Sequence, residues 1–116
     1  MKKIISLLAI LFLLTACKSK YEVIDTNKAL TLIENGAIII DVRTEEEYIG
    51  GHITDAINIP LDRIDSITYD KDKTLVLYCA TGIRSATAAE QLYDMGYTSL
   101  YSLDGGLINW GEPLEE

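Results

Sequence analysis

The sequence predicts an α/β domain built on a mostly parallel sheet, and two features carry that expectation. Two short runs, Ala37-Ile38-Ile39-Ile40-Asp41-Val42 and Thr74-Leu75-Val76-Leu77-Tyr78, are almost unbroken in apolar residues. Strands of that kind are buried on both faces, as in a sheet covered by helices on each side. Around them lie segments with helical spacing that stop at glycine, at Asn35-Gly36 and at Gly96. Strand and helix alternating through short connections give a parallel sheet with helices packed on it.

Taken in order, Tyr21-Glu22-Val23-Ile24 is a short first strand. Asp25 or Thr26 caps a helix that carries Ala29, Leu30 and Ile33 on one face, and Gly36 stops it. The strand over 37–42 follows. Thr44-Glu45-Glu46-Glu47 then matches a capping box, with Thr44 as N-cap and Glu47 at N3, and Gly50-Gly51 ends that short helix. Ala56-Ile57-Asn58-Ile59 is a third strand closed by Pro60, and 61–67 holds a short helix. The strand over 74–78 runs straight into Cys79. Residues 85–95 are helical, with Ala88, Ala89 and Leu92 on one face. Residues 99–103 make the last strand, and Gly105-Gly106-Leu107-Ile108-Asn109-Trp110 is a turn entering a short helix. Trp110 is expected to seal the core. The chain shows no repeats and no low-complexity segment.

The 116 residues suffice for one domain. The N-terminus reads separately from it. Lys2 and Lys3 precede an apolar run over 4–14 broken only by Ser6, and Leu14-Thr15-Ala16 leads into Cys17. A charged start, a short apolar stretch and small residues before a cut site describe a secretory signal. The run is short of the roughly 20 apolar residues that cross a bilayer core. Leu14-Thr15-Ala16-Cys17 also resembles the lipobox of bacterial lipoproteins. That resemblance implies diacylglycerol on the Cys17 sulfur, cleavage before Cys17 and acylation of the new amino terminus. Residues 1–16 would be removed, 17–20 would be the lipidated cysteine and a tether reaching about 10 Å, and 21–116 would be the domain. The protein would be extracytoplasmic and held to a membrane by its lipid, at a membrane the sequence does not specify. Ordinary secretion with Cys17 incidental, or a retained signal anchor, are the alternatives.

Charge and cysteine usage narrow the function. The formal net charge is −8, and loss of Lys2 and Lys3 leaves 8 basic against 18 acidic residues, or −10. So acidic a surface argues against nucleic acid and against charge-driven adhesion to anionic lipid. With Cys17 lipidated, Cys79 is the remaining thiol, so no intramolecular disulfide forms. One histidine, His52, leaves no Cys/His cluster for a structural zinc.

The informative stretch is Tyr78-Cys79-Ala80-Thr81-Gly82-Ile83-Arg84-Ser85. A strand ends at Cys79, a loop with Gly82 follows, and a helix begins near Ser85. Ligands bind at the carboxyl ends of strands in an open α/β sheet. A turn of this kind points successive N–H groups inward as an anion nest, and the following helix adds its positive end. Sulfur held in such a ring is stabilised as the reactive thiolate. A free cysteine also packs well as an inert core residue, so Cys79 alone decides nothing. Arg84 opposes the helix dipole, at a cost of about 0.3–1 kcal/mol. Its placement makes sense where it meets an anion or an acidic side chain.

The loop Cys79-Ala80-Thr81-Gly82-Ile83-Arg84-Ser85 resembles the active-site loop of single-domain rhodaneses, cysteine-x-x-glycine-x-arginine-serine. Asp41-Val42-Arg43, Glu47-Tyr48, Gly51-His52-Ile53 with Ala56, Asn58, Ile59 and Pro60, and Gly105-Gly106 through Trp110 resemble further marks of that family, in order. The resemblance implies a rhodanese-like three-layer fold, a five-stranded mostly parallel sheet with helices on both faces. It also implies a sulfurtransferase in which Cys79 takes a sulfane sulfur as a persulfide and passes it on. Backbone N–H groups of Ala80, Thr81, Gly82, Ile83, Arg84 and Ser85 would hold the persulfide, with Arg84 binding the donor or ordering the loop. The implied partners are a small sulfur donor and a thiol or cyanide acceptor, including a protein thiol. The implied reaction uses no metal and no organic cofactor.

Asp41, Arg43, Glu47 and His52 read as scaffold. Arg43 and Glu47 are four apart and spaced to pair, and Glu47 closes the capping box. Two other functions compete. A cysteine phosphatase or arsenate reductase also sets cysteine and arginine around an anion nest, but that pattern has five intervening residues and this loop has four. A non-turnover persulfide carrier is the other. Ala80, Thr81 and Ile83 are uncharged, which weakens thiosulfate as the physiological donor.

Overall fold

The computed structural model describes residues 19–116. The signal segment and Cys17 lie outside the described residues. Five strands, β1 (Glu22–Ile24), β2 (Ile38–Asp41), β3 (Ile57–Asn58), β4 (Leu75–Tyr78) and β5 (Leu100–Leu103), form one sheet in the order β1-β5-β4-β2-β3. Every pairing is parallel. Three α-helices, α1 (Thr26–Glu34), α2 (Glu45–Ile49) and α3 (Ile83–Asp94), and two 3-10 helices, Leu61–Ser66 and Gly106–Asn109, complete the described chain.

The apolar runs divide between two cores by the two-residue period of a strand. Ile39, Val76 and Tyr78 pack with Ala29 of α1, Ile53, Leu103 and Trp110 on one face. Ile40, Leu75, Leu77 and Cys79 pack with Ala88, Ala89 and Leu92 of α3 on the other. Both central strands are therefore buried on both sides, which is why their sequences lack polar alternation. Cys79 continues the α3 face of β4, and this register decides where its sulfur points.

Local signals largely hold. Asp25 caps α1, its carboxylate accepting from the Lys28 N–H at 2.8 Å. Thr44 and Glu47 form the reciprocal capping box at the start of α2. The short helix expected over 61–67 is a 3-10 helix over Leu61–Ser66. One boundary differs from expectation. Helix α3 begins at Ile83, two residues before Ser85, with Gly82 as a left-handed N-cap at φ 97°. That conformation suits glycine, because a Cβ there costs energy.

Candidate active site

The strand β4 delivers Cys79 to the carboxyl edge of the sheet, where the chain turns into α3. The residue is 1% exposed. Its Sγ accepts the Gly82 N–H at 3.1 Å and the Ser85 N–H at 3.4 Å, and lies 3.7 Å from Ser85 Oγ. The first N–H groups of a helix have no partner within it, and here the sulfur takes the place of one. Burial would push the Cys79 thiol up, but the N–H groups of Ser85, Thr81 and Gly82 and the Ser85 hydroxyl outweigh it. The thiol is held below its ordinary value, which raises the thiolate fraction near neutral pH.

Three outside segments fix the loop. The first is the 3-10 helix Gly106–Asn109, whose Leu107 N–H donates to the Cys79 carbonyl at 2.9 Å and whose Ile108 N–H donates to Ala80 at 3.3 Å. Gly106 has φ 61°, and a Cβ on it would collide with the Cys79 carbonyl and the Ala80 backbone. The glycine lets one backbone lie directly on the other. The second is α2. Arg84 Nη1 and Nη2 donate to the two carboxylate oxygens of Glu47 at 2.8 and 3.0 Å. The guanidinium draws the Glu47 carboxyl down to about 2, with the Thr44 N–H helping and burial opposing. The third is β5, where Ser102 Oγ lies 2.8 Å from Ser85 Oγ.

The loop residues thus divide by task. Gly82 and Ser85 turn N–H donors toward the sulfur, and the Thr81 N–H adds to the lowering of its thiol. Ala80 offers its carbonyl to Ile108, and Ile83 lies 75% exposed at the rim. Arg84 meets an acidic side chain, so its position at the helix start is answered by Glu47.

One expected pairing is corrected. Glu47 does not pair with Arg43, because Arg43 turns inward and binds Asp41. Arg43 Nη2 donates to Asp41 Oδ2 at 2.7 Å and to the Gly51 carbonyl at 2.7 Å. Asp41 is fully buried and its charge demands a partner beside it. This pair braces the turn after β2. His52 is also braced: its ring stacks on Tyr48 at 3.8 Å, Nδ1 lies 3.0 Å from the Tyr48 carbonyl, and its backbone pairs with Glu115. Trp110 is buried in the α1-side core.

Two contributors escaped the sequence reading. Glu47 was assigned to the scaffold, but it also reaches the cysteine loop through Arg84. Ser102 was not singled out at all. Its signal was a serine inside an otherwise buried strand, Leu100-Tyr101-Ser102-Leu103.

The rhodanese-like domain family profile matches residues 25–113. The chain belongs to the rhodanese-like domain family. Its fold superposes on a rhodanese-related protein from Thermoplasma volcanium with TM-score 0.72 and 31% identity, covering 82% of this chain and 98% of that one. The human single-domain sulfurtransferase TSTD1 gives TM-score 0.71 at 25% identity, covering 76% and 93%. YqhL of Bacillus subtilis, uncharacterized, is 43% identical over 77 residues, 65% of this chain and 61% of that protein. Other curated relatives are longer: the match takes in 44% of an uncharacterized Synechocystis protein and 25% of the tRNA uridine(34) hydroxylase of Erwinia tasmaniensis. The chain spans less than two thirds of each of these three. Within the rhodanese-like fold, the cysteine loop of this member lies at the carboxyl edge of a five-stranded sheet, where the nest was expected.

Proposed function

We propose that this rhodanese-like protein is a sulfurtransferase working through a persulfide on Cys79. The observation that carries the reading is the sulfur itself, buried and bonded by N–H groups of Gly82 and Ser85. In the first half-reaction the Cys79 thiolate attacks the sulfane sulfur of a donor such as thiosulfate. The donor S–S bond breaks and sulfite leaves with the bonding pair. In the second, cyanide or a thiolate attacks the outer sulfur, and Cys79 departs as thiolate. Two displacements replace one harder transfer, and no net oxidant is needed. The N–H ring stabilises sulfur-centred negative charge at both ends of the cycle.

A persulfide carrier for a partner protein is the second reading. Arg84 is engaged by Glu47, and the rim carries Ile83 and Ile108, 75% and 77% exposed. A partner presenting its sulfur beside apolar surface fits that rim better than a free dianion does.

Mass spectrometry of the reduced protein separates the readings. Thiosulfate should add the mass of one sulfur to Cys79, and cyanide should remove it as thiocyanate. Loading only from a protein persulfide supports the carrier. Turnover of an aryl phosphate without sulfur loading overturns both.

Anchoring through Cys17 belongs to the same proposal. Lys18-Ser19-Lys20 leads into β1 at the amino edge of a sheet whose strands all run the same way. Cys79 follows the carboxyl end of β4, about 10 Å further along the strand direction than the start of β1. A short tether at one edge therefore turns the cysteine loop away from the membrane, toward soluble partners.

A further inference from the structure

Ser102 is 2% exposed on β5, in register with Leu77 of β4. Neighbours in register share a face, and Cys79 lies two residues beyond Leu77, so Ser102, Leu77 and Cys79 all face α3. A serine at such a position costs energy unless its hydroxyl is bonded. The partner that the structure gives Ser102 Oγ is Ser85 Oγ at 2.8 Å. Ser85 Oγ in turn donates to the Gly82 carbonyl at 3.2 Å and lies 3.7 Å from Cys79 Sγ.

The two hydroxyls carry two protons, and counting them sets the direction. Were Ser85 to donate to Ser102, the Ser102 proton would face the apolar core. Donation from Ser102 to Ser85 satisfies both. It fills one lone pair of Ser85 and leaves the Ser85 proton free to turn between the Gly82 carbonyl and the sulfur. While Cys79 is a thiol, S–H donates to Ser85 and Ser85 donates to Gly82. Once Cys79 is a thiolate, the Ser85 proton has a charged acceptor beside it. Chained donors strengthen one another in a dry site.

We propose that Ser102 is a positioning residue for the Cys79 thiolate, acting through Ser85 as the outer donor of a hydroxyl relay. This rests on the reading that Cys79 reacts as a thiolate and deepens it by one residue. The ionisable groups around the relay are Arg84 of α3, Glu47 of α2 paired to it, and Asp41 at the end of β2, within electrostatic reach of Arg84. Ser102 bonds to none of them, so changing it alters the relay and leaves the charges in place. The strand partner Val23 on β1 and Leu77 on β4 are apolar.

The test is the pH profile of Cys79 alkylation by iodoacetamide in the reduced full chain and in Ser102→Ala. The variant should move the midpoint to higher pH by about half a unit, about a threefold loss of thiolate at neutral pH. Ser102→Thr, which keeps the hydroxyl, should restore the midpoint. Ser102→Val, which has the shape of threonine without a hydroxyl, should shift it as alanine does, and it serves if the alanine variant does not fold. An unchanged midpoint in folded Ser102→Ala, or the same shift in the threonine variant, overturns the relay and leaves Ser102 a packing residue. The readout is independent of sulfur transfer. A shifted midpoint in a protein that never loads sulfur would retain the relay and remove the sulfurtransferase.

Discussion

Replacing Glu47 by glutamine tests the outer brace of the loop. Glutamine keeps the capping-box acceptor for Thr44 but loses the charge that meets Arg84 at 2.8 and 3.0 Å. The size of the effect follows from the pair's setting. A carboxyl held at about 2 in place of 4.5 would, at face value, correspond to about 3 kcal/mol. Both side chains are about a third exposed, at 36% and 35%, and pairs so placed measure about 0.2–1 kcal/mol because solvent screens them. Part of the depression also comes from Thr44, and that part survives in glutamine. We therefore expect a loss of about 1 kcal/mol at neutral pH, a fall of about 5 °C in melting temperature for a domain of this size. The pH dependence has a fixed sign. A folded-state value below the unfolded one stabilises above the unfolded value and is lost as pH falls through the folded one. The difference between wild type and Glu47→Gln should be full above pH 5, shrink below about 4.5 and vanish near pH 2. Thermal melts across that range, read by circular dichroism, measure it. Equal melting temperatures at pH 7, or a difference that persists undiminished at pH 2, would refute the argument.

Other perturbations reach different parts of the same site. Cys79→Ser should abolish sulfur loading while leaving the melting temperature within a few degrees; loading that continued would place the reactive atom elsewhere. Gly106→Ala forces a Cβ at φ 61° into the Cys79 carbonyl, combining left-handed strain with overpacking, so about 2–5 kcal/mol of stability should be lost. A melt within 3 °C of wild type would mean that the turn yields freely. Cys17→Ala should shift the protein from the membrane to the soluble fraction, and a variant still bound after carbonate washing would point to an uncleaved apolar segment.

The parts legible in the sequence were those decided by near neighbours in the chain. Thr44 and Glu47 are three residues apart, and the capping box could be read from that spacing alone. The strands around Ile39 and Val76 were legible because burial on both faces leaves no polar alternation. The start of α3 was placed two residues late because Gly82 was read as part of the loop, whereas it caps the helix through its left-handed backbone conformation and Ser85 turns toward the sulfur. The partner of Glu47 was misassigned for a related reason. Spacing offered Arg43, but the fully buried Asp41 has the stronger demand for a guanidinium. Arg84 is 37 residues away from Glu47. Parallel sheets bring such distant segments together at one edge, and no local pattern records which will meet.

That same convergence accounts for the depth of the sulfur. Helix α2, the 3-10 helix Gly106–Asn109 and strand β5 hold the loop from three directions, and Cys79 ends 1% exposed. An atom so enclosed cannot receive a bulky group directly, because the ring would have to open and forfeit the N–H bonds that stabilise the thiolate. In the proposed reaction the added sulfur changes the reach of the site. An S–S bond is about 2 Å long, so the outer sulfur of a persulfide would be displaced from Sγ by that length, and it is the atom an acceptor would attack. In that reaction the donor would bring a slender sulfane end to the enclosed Sγ, whereas the acceptor would meet the outer sulfur of the persulfide. On the proposed reading, the width of the ring would bear on donor choice and the apolar rim on acceptor choice. The two half-reactions should respond to different mutations: Ile108→Asp should slow transfer to a thiol acceptor more than it slows loading from thiosulfate.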